Sequence, residues 1–271
     1  MFIFKSKKRN AFNCIMAILM FIISANSNAQ LKKPTLPDSI FSTYYHQRVS
    51  HFKTLPKTTN DIVFVGNSIS DGGEWSELFA DIRIKNRGIS GDISAGVLNR
   101  IDEIADRKPK KVFVMIGTND LSRNTSTDSI FKNITKITSY LKQESPSTKV
   151  YVQSVLPVND VHKKFGGHTS KGEQIKLLNA TLKQNATAYN FTFIDLHTPF
   201  CDANGKLNKN LTNDGLHLTG EGYLLWKHLV YPLVFDLETK PSLLPKPQQL
   251  KWNTGYFSIA GSNTIFVENP S

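Results

Sequence analysis

Four short segments of this 271-residue sequence carry residue types that together could perform nucleophilic catalysis on a carbonyl group. That chemistry needs a serine that attacks the carbonyl, a histidine that removes the serine proton, and a carboxylate that orients the histidine. It also needs N–H donors that hold the developing oxyanion. The sequence supplies these types in the segments Gly66-Asn67-Ser68-Ile69, Asn86 to Asp92, Gly117-Thr118-Asn119-Asp120 and Asp214-Gly215-Leu216-His217.

None of the first three segments is decisive alone. Ser68 follows an apolar run and a turn, which predicts a helix start with an exposed hydroxyl and a free backbone N–H, but a serine there is more often a helix cap. Gly88 and Gly91 permit a tight turn with inward-pointing amides, although an ordinary strand-to-helix turn needs the same residues. Asn119 can offer a side-chain N–H donor, yet asparagine also occupies turns for local reasons. Only the combination and order of the segments indicate nucleophilic catalysis.

The fourth segment supplies the pair that would activate the serine. Asp214 lies three residues before His217, and in a loop its carboxylate can fold back on the imidazole, fix the tautomer and stabilise the charged form. His162 and His168 flank a glycine-rich segment, for which we expect a solvated loop rather than substrate contact.

The segments must be positioned by a scaffold, and the pattern between Asp61 and Phe235 predicts one. Apolar runs alternate with helical periods, which is typical of an α/β fold with a parallel sheet covered on both faces. Ligands in such folds bind beyond the carboxyl ends of the strands, where the four segments begin. The predicted strands are Ile62–Val65, Val112–Ile116, Val150–Val152 and Phe191–Ile194. Predicted helices cover Ser39 to Phe52, Ile93 to Ile104, Ile130 to Leu141, Ile175 to Ala186 and the residues after Thr219.

Residues 1–29 predict a secretory signal peptide, because a basic start precedes the short apolar run Ile15–Ile23 and the small-x-small sequence Ser27-Asn28-Ala29. The run is shorter than the roughly 20 residues of a membrane-spanning helix, and an uncleaved anchor is the alternative. Cleavage predicts a secreted or periplasmic protein with no stable membrane span. It removes four basic residues and no acidic one, so the net charge falls from +11 to +7. The remaining lysines are scattered, which argues against a nucleic-acid partner.

Cys201 is left without a disulfide partner once Cys14 is removed with the leader, and we predict a small buried residue. His197 follows Asp195 at a strand end, but a metal role for this pair is disfavoured, and no metal or cofactor is predicted. The predicted organisation is a signal peptide at 1–29, an extension at 30–60, the α/β domain at 61–235, a proline-rich linker at 236–249 and a partial β segment of a following domain at 250–271.

The four segments resemble the Ser, Gly, Asn and His blocks of the SGNH (GDSL-type) hydrolase family, over about residues 61–235. The resemblance implies a three-layer α/β/α fold with a flavodoxin-like five-stranded parallel sheet. It implies that Ser68 is the nucleophile, His217 the base and Asp214 the residue that orients it. The Ser68 amide, the Gly91 amide and the Asn119 side chain would form the oxyanion hole. Asn67 stands where the family more often has aspartate, outside the four catalytic positions.

Within the family, the segment from Tyr44 to Trp75 is most similar to secreted bacterial acetylesterases acting on sugars and to the platelet-activating-factor acetylhydrolase branch. Residues 243–257 resemble the start of the N-terminal domain of secreted β-N-acetylhexosaminidases, which implies a truncated esterase–glycosidase fusion. An acetylated glycan, such as a sialic acid, is therefore the expected substrate. Trp75 and Asp92 are predicted to bind it, Trp75 by stacking on a sugar ring, with a core or lid role for Trp75 equally open.

Two alternatives remain open at this stage. One is a lipase or lysophospholipase, or a platelet-activating-factor acetylhydrolase-like esterase, that uses the same residues. The other is a glycan-binding module that retains the fold without catalysis, against which the complete set of Ser68, Gly91, Asn119, Asp214 and His217 argues. The sequence makes no prediction of oligomeric state.

Overall fold

The computed structural model describes residues 37–237, and within that range five strands form one parallel sheet. The strands are β1 (Ile62–Gly66), β2 (Ile84–Gly88), β3 (Lys111–Met115), β4 (Lys149–Gln153) and β5 (Thr192–Ile194). Their order across the sheet is β2-β1-β3-β4-β5, and helices cover both faces. This arrangement confirms the predicted α/β/α fold. The predicted signal peptide, the linker beyond residue 237 and the segment 250–271 lie outside the described residues.

Short helices follow the strands at the end of the sheet where the predicted site residues lie, and longer helices pack on the faces. The helices of residues 37–237 are α1 (Thr43–Thr54), α2 (Ser68–Asp71), α3 (Trp75–Leu78), α4 (Ser94–Asn99), α5 (Ile101–Ala105), α6 (Thr118–Ser122), α7 (Thr127–Glu144), α8 (Gly166–Thr169), α9 (Gly172–Asn185), α10 (His197–Phe200) and α11 (Gly220–Val234). In this part of the chain, none of them combines the length and apolar character that crossing a bilayer requires.

One face of the sheet carries a row of stacked aromatic rings. Phe64, Phe113 and Tyr151 are register neighbours on β1, β3 and β4, with ring centroids 4.8 and 4.6 Å apart. Trp75 of α3 stacks on Phe64 at 4.1 Å, and Trp226 of α11 meets Trp75 edge-on at 4.8 Å. Large buried rings contribute much of a core's apolar area. The aromatic row therefore fixes α3, just after the Ser68 turn, and α11, just after His217, against the same face.

The apolar pattern predicts β1, β3, β4 and β5 but does not mark β2, whose sequence has a single large apolar residue, Ile84. Among the strands of residues 37–237, β2 lies at the edge of the sheet and pairs only with β1. Its Arg87 is buried, forms an ion pair with Glu103 at 3.3 Å and lies over the Phe52 ring at 4.6 Å. A strand whose polar side chains are paired individually gives no apolar run for a sequence pattern to detect.

The single helix predicted for Ile93 to Ile104 is in fact two short helices, α4 and α5. They meet at Arg100, whose φ and ψ of −107° and 12° leave the helical region. The Arg100 guanidinium binds the Asp92 carboxylate at 3.0 and 2.9 Å and donates to the Arg87 carbonyl oxygen at 2.9 Å. The break between the helices thus falls at a buried arginine whose side chain holds the loop that precedes α4.

Candidate active site

Ser68 begins α2 directly after β1, as the sequence predicts. The Asn67 side chain caps the helix by accepting the Ile69 N–H at 3.0 Å. At the first helical position, the Ser68 N–H has no acceptor within the helix and is available to a ligand. β2 approaches this turn so closely that a Cβ on Gly88 would collide with the Asp71 backbone nitrogen. Glycine at position 88 therefore lets the two predicted blocks meet.

A continuous chain of hydrogen bonds joins the serine, the histidine and the aspartate. Ser68 Oγ lies 3.0 Å from His217 Nε2, and His217 Nδ1 lies 2.8 Å from Asp214 Oδ2. Because an ionised carboxylate only accepts, Nδ1 must carry the imidazole proton, which leaves Nε2 free to accept from the serine hydroxyl. The loop is fixed by Asp214 Oδ1, which accepts the backbone N–H groups of Leu216 and His217, each at 2.8 Å.

The Asp214 carboxylate is held in its ionised form. Partial burial alone would raise its pKa, but hydrogen bonds from the His217 ring and from the His217 and Leu216 amides outweigh burial and lower the pKa below its usual value. An ionised carboxylate at this position stabilises the imidazolium that forms when His217 accepts a proton.

The loop that follows β2 is tied to α2 by Asp71. Gly91 has a φ of +82°, a conformation that favours glycine. The preceding Ser90 donates from its N–H and its hydroxyl to Asp71 Oδ2 at 3.0 and 2.7 Å, and the Tyr44 hydroxyl donates to the same oxygen at 2.9 Å. Arg123 donates to the Gly91 carbonyl oxygen at 3.0 Å. The turn that carries the Gly91 N–H is therefore anchored on both sides.

The Asn119 carboxamide bridges two neighbouring segments. Its Nδ2 donates to the Asp92 carbonyl oxygen at 2.9 Å, and its Oδ1 lies 2.9 Å from His168 Nε2. An amide nitrogen carries two hydrogens, so Nδ2 retains a second one for the cleft that Asn119 lines.

Four of the predicted residues line one open cleft of about 380 Å³, namely Ser68, Gly91, Asn119 and His217, and Asp214 lies behind His217. Phe165 and Leu216 add apolar surface to the cleft, and Arg123 adds a positive charge. The cleft is therefore lined by a serine hydroxyl, a basic ring nitrogen and three residues with N–H groups to offer, a set that suits attack on a carbonyl and stabilisation of the oxyanion that results.

Two predicted substrate-binding residues do not face this cleft. Trp75 is 1% exposed, stacks on Phe64 and donates from Nε1 to the Ser70 carbonyl oxygen at 2.8 Å. Its predicted stacking on a sugar is wrong, because the indole lies in the core beneath α2, in the core role that the sequence left equally open. The predicted role of Asp92 is wrong as well, since its carboxylate is buried against Arg100. Burial raises the pKa of the Asp92 carboxyl, although Arg100 partly offsets that effect.

Three residues at the site were missed by sequence reasoning. Asp71 stands three positions after Ser68, and that spacing could have suggested a role at the end of the nucleophile helix. Phe165 and His168 each lie 46 positions from the nearest predicted site residue in sequence. The expected solvated loop is wrong for His168, which lines the cleft, and the Phe165 ring meets the His168 and His217 rings at 5.9 and 5.1 Å.

The segment after β5 is structural. Asp195 accepts from the Thr198 N–H and hydroxyl at 3.1 and 2.7 Å, and so caps the turn of α10. Cys201 is partly exposed rather than buried as predicted, with its Sγ 3.5 Å from His197 Nδ1. Partial burial raises the pKa of the Cys201 thiol, which keeps it protonated. Within residues 37–237, no cluster of three or more His, Cys, Asp or Glu side chains could hold a metal ion.

Comparison with known proteins identifies the family and agrees with the fold. Residues 64–225 match the GDSL-like lipase/acylhydrolase family. A solved GDSL-like lipase from Bacteroides thetaiotaomicron is 28% identical, covers 71% of this chain and 97% of its own, and superposes with a TM-score of 0.62.

Two curated relatives differ in how much of their length is matched. The platelet-activating factor acetylhydrolase IB subunit alpha2 of Rattus norvegicus is 30% identical over 183 residues, which are 65% of this chain and 77% of the relative. The N-acylneuraminate cytidylyltransferase of Escherichia coli O18:K1:H7 is 29% identical over 193 residues, which are 70% of this chain. This chain spans less than half of that second relative, 44% of its length.

Proposed function

The chain belongs to the GDSL-like lipase/acylhydrolase family of ester-hydrolysing enzymes, and on that premise we propose that it removes O-acetyl groups from carbohydrate. In this proposal Ser68 is the nucleophile, His217 the general base and Asp214 the residue that orients the base. The observation that carries it is the chain of hydrogen bonds from Ser68 Oγ through the His217 imidazole to the Asp214 carboxylate.

The reaction proceeds in two halves. His217 Nε2 accepts the Ser68 proton as Oγ attacks the acetyl carbonyl, and the resulting imidazolium donates that proton to the sugar oxygen as its bond to the acetyl carbon breaks, which releases the sugar as an alcohol. The acetyl group then remains on Ser68 as an ester. A water molecule, deprotonated by His217, attacks this ester, and the proton returns to Oγ as acetate leaves.

Each half passes through a tetrahedral oxyanion. The proposed donors are the Ser68 N–H, the Gly91 N–H and the free hydrogen of Asn119 Nδ2, which belong to residues that line the cleft. Removing one such donor commonly lowers kcat by about 100- to 1,000-fold. Asn119→Ala therefore tests the oxyanion hole separately from the triad.

An acidic acetylated sugar, such as an O-acetylated sialic acid, is the substrate class we propose. The N-acylneuraminate cytidylyltransferase relative is named for an acidic sugar, although this chain matches less than half of it. Arg123, at the edge of the cleft, has a guanidinium that suits a carboxylate. We further propose that residues 1–29 direct export, so that the enzyme acts in the periplasm or outside the cell.

Acetate release tests the proposal. O-acetylated sialic acids, acetylated xylan and O-acetylated peptidoglycan fragments are offered to the protein, and acetate is measured enzymatically. Ser68→Ala and His217→Ala should each lower turnover by at least about 1,000-fold. The control is Ser76→Ala, an exposed serine of α3 that should behave as wild type. Wild-type turnover by Ser68→Ala would overturn the assignment.

The match to platelet-activating factor acetylhydrolase favours a second candidate, an acetylesterase that acts on a phospholipid. Comparing an acetylated sugar with an acetylated glycerophospholipid separates these two, and a long-chain p-nitrophenyl ester tests the lipase alternative. Preference for the phospholipid or for the long-chain ester would place that substrate ahead of acetylated carbohydrate. A fluorophosphonate probe tests whether the fold only binds glycans, because a non-catalytic module would leave Ser68 unlabelled.

A further inference from the structure

We propose that His168 is a positioning residue of the oxyanion hole, which it serves by holding the Asn119 carboxamide in the orientation that directs an N–H into the cleft. The inference rests on the proposed role of Asn119 as an oxyanion donor. It assigns to His168 a function that neither its spacing in the sequence nor the four catalytic segments indicate.

The orientation of the Asn119 amide follows from its neighbours. The Asp92 carbonyl oxygen, 2.9 Å from Nδ2, can only accept a hydrogen bond, so the nitrogen end of the amide must face it. The oxygen end, Oδ1, then faces His168 Nε2 at 2.9 Å. Because Oδ1 also only accepts, His168 must carry a proton on Nε2. The hydrogen-bond network thus determines both the amide orientation and the histidine tautomer, neither of which is visible from heavy atoms alone.

The two histidines of the cleft consequently have opposite tautomers. His217 is protonated on Nδ1, toward Asp214, and presents a bare Nε2 to Ser68. His168 is protonated on Nε2, toward Asn119. Partial burial, together with the nearby His217 and Arg123, lowers the pKa of His168, which favours its neutral form at neutral pH. One imidazole is arranged to accept a proton and the other to donate a hydrogen bond.

Holding the amide at both ends has a direct effect on the reaction. With one Nδ2 hydrogen on the Asp92 carbonyl and Oδ1 on His168, rotation about the Asn119 side chain would break a hydrogen bond in either direction. A donor to Oδ1 also polarises the amide and strengthens its N–H groups as donors. Preorganised donors need no reorientation as charge develops, and this is the source of their catalytic value.

Three substitutions of His168 separate this role from a packing role. In His168→Gln the side-chain amide nitrogen can occupy the Nε2 position and donate to Asn119 Oδ1. The shorter His168→Asn places its amide nitrogen near Nδ1 and cannot reach. We expect His168→Ala and His168→Asn to lower kcat on p-nitrophenyl acetate by about tenfold, the equivalent of one hydrogen bond, with KM within twofold. His168→Gln should retain kcat within threefold.

A double-mutant cycle shows whether His168 acts through Asn119. Once Asn119→Ala has removed the oxyanion donor, adding His168→Ala should lower kcat by less than twofold, because nothing remains to be positioned. Equal losses from His168→Ala in both backgrounds would overturn the inference. An unchanged kcat in His168→Ala, or a rise in KM alone, would overturn it as well.

The tautomer is a readout independent of activity. Long-range ¹H–¹⁵N correlation spectra of the histidine rings at neutral pH should show a protonated Nε2 on His168 and a protonated Nδ1 on His217. A protonated Nδ1 with a bare Nε2 on His168 would refute the inference for a fully folded protein. Failure of the proposed function has a different signature, since Asn119→Ala would then leave kcat unchanged whatever His168 does.

Discussion

Replacing Asp71 with asparagine should slow ester hydrolysis without weakening substrate binding. Asp71 ends α2, the helix that Ser68 begins, and its Oδ2 accepts from the N–H and the hydroxyl of Ser90 and from the Tyr44 hydroxyl. Arg48 lies 3.6 Å from the other carboxylate oxygen. This one side chain therefore fixes the distance between the turn at Ser68 and the loop that carries the Gly91 N–H.

The size of the effect follows from the loss of charge. Hydrogen bonds to an ionised group contribute about 1.5–3 kcal/mol, and bonds between neutral groups about 0.5–1.5 kcal/mol. The Asp71 side chain is 10% exposed, so solvent screens these bonds only in part. Asparagine keeps one acceptor oxygen, and weakening the two Ser90 bonds by roughly 1 kcal/mol each gives about 2 kcal/mol. If this loss of about 2 kcal/mol appears entirely as weaker stabilisation of the transition state, kcat falls about 30-fold.

The assay is kcat and KM on p-nitrophenyl acetate at pH 8, with Asp81→Asn as the matched control. Asp81 is 12% exposed and pairs with Arg83 at 2.6 Å in the turn before β2, at the opposite end of that strand from Ser90. Its loss should change thermal stability but leave kcat within twofold. Asp71→Asn should lower kcat with KM unchanged.

Three outcomes would refute this reasoning. The first is an equal kcat in Asp71→Asn and Asp81→Asn, which would mean that the Ser90 loop keeps its position without the charge. The second is a rise in KM alone, which would make Asp71 a substrate contact. The third is a fall in kcat that disappears when the rate is corrected for the folded fraction measured by circular dichroism, which would make the effect one of stability.

Three further predictions concern other parts of the molecule. Asp214→Asn no longer fixes the His217 tautomer and should lower kcat by about 1,000- to 10,000-fold, and a loss below tenfold would contradict that role. Trp75→Phe should lower the free energy of unfolding by about 1–3 kcal/mol in urea titrations while leaving KM for an acetylated sugar unchanged, whereas a raised KM would restore the binding role. Hydrogen bonds from Lys110 and two neighbouring lysines lower the pKa of Asp236 in the folded protein. The carboxylate therefore stabilises the fold above its unfolded pKa of about 3.9, and this stabilisation is lost as the pH falls below that value. The wild-type protein should therefore exceed Asp236→Asn in Tm by about 2–4 °C at pH 7, by less below about pH 4, and a difference independent of pH would argue against the ion pairs.

The sequence predicted correctly the positions of those strands and cleft residues that follow from the pattern of neighbouring residues in the chain. β1 and β3 are apolar on both faces because the sheet is covered on both sides, and Ser68 and Asn119 follow them directly. His217 could be identified because Asp214 is close in sequence. These residues needed only the rule that ligands gather at the carboxyl ends of parallel strands.

The remainder depended on tertiary contacts that no local pattern encodes. β2 is an edge strand whose Arg87 is satisfied by Glu103 and Phe52 from other elements. Trp75 is of a residue type that often stacks on sugars, but it lies in the core between Phe64 of β1 and Trp226 of α11. His168 meets Asn119 across 49 positions through a loop whose path the sequence does not specify.

The hydrogen bond between Ser68 and His217 joins positions 149 residues apart. His217 comes just before α11, whose Trp226 packs against Trp75 and donates to Gln153 at 2.7 Å. As the chain is synthesised, the nucleophile and all three proposed oxyanion donors emerge well before the proposed base. On the proposed assignment, a chain that ends before Asp214 lacks the base that would activate Ser68, and we expect ester hydrolysis to begin only after α11 has packed against the core. Recovery of esterase activity during refolding should therefore follow the burial of Trp226. The change in tryptophan fluorescence, recorded in the same refolding experiment, reports when that burial occurs.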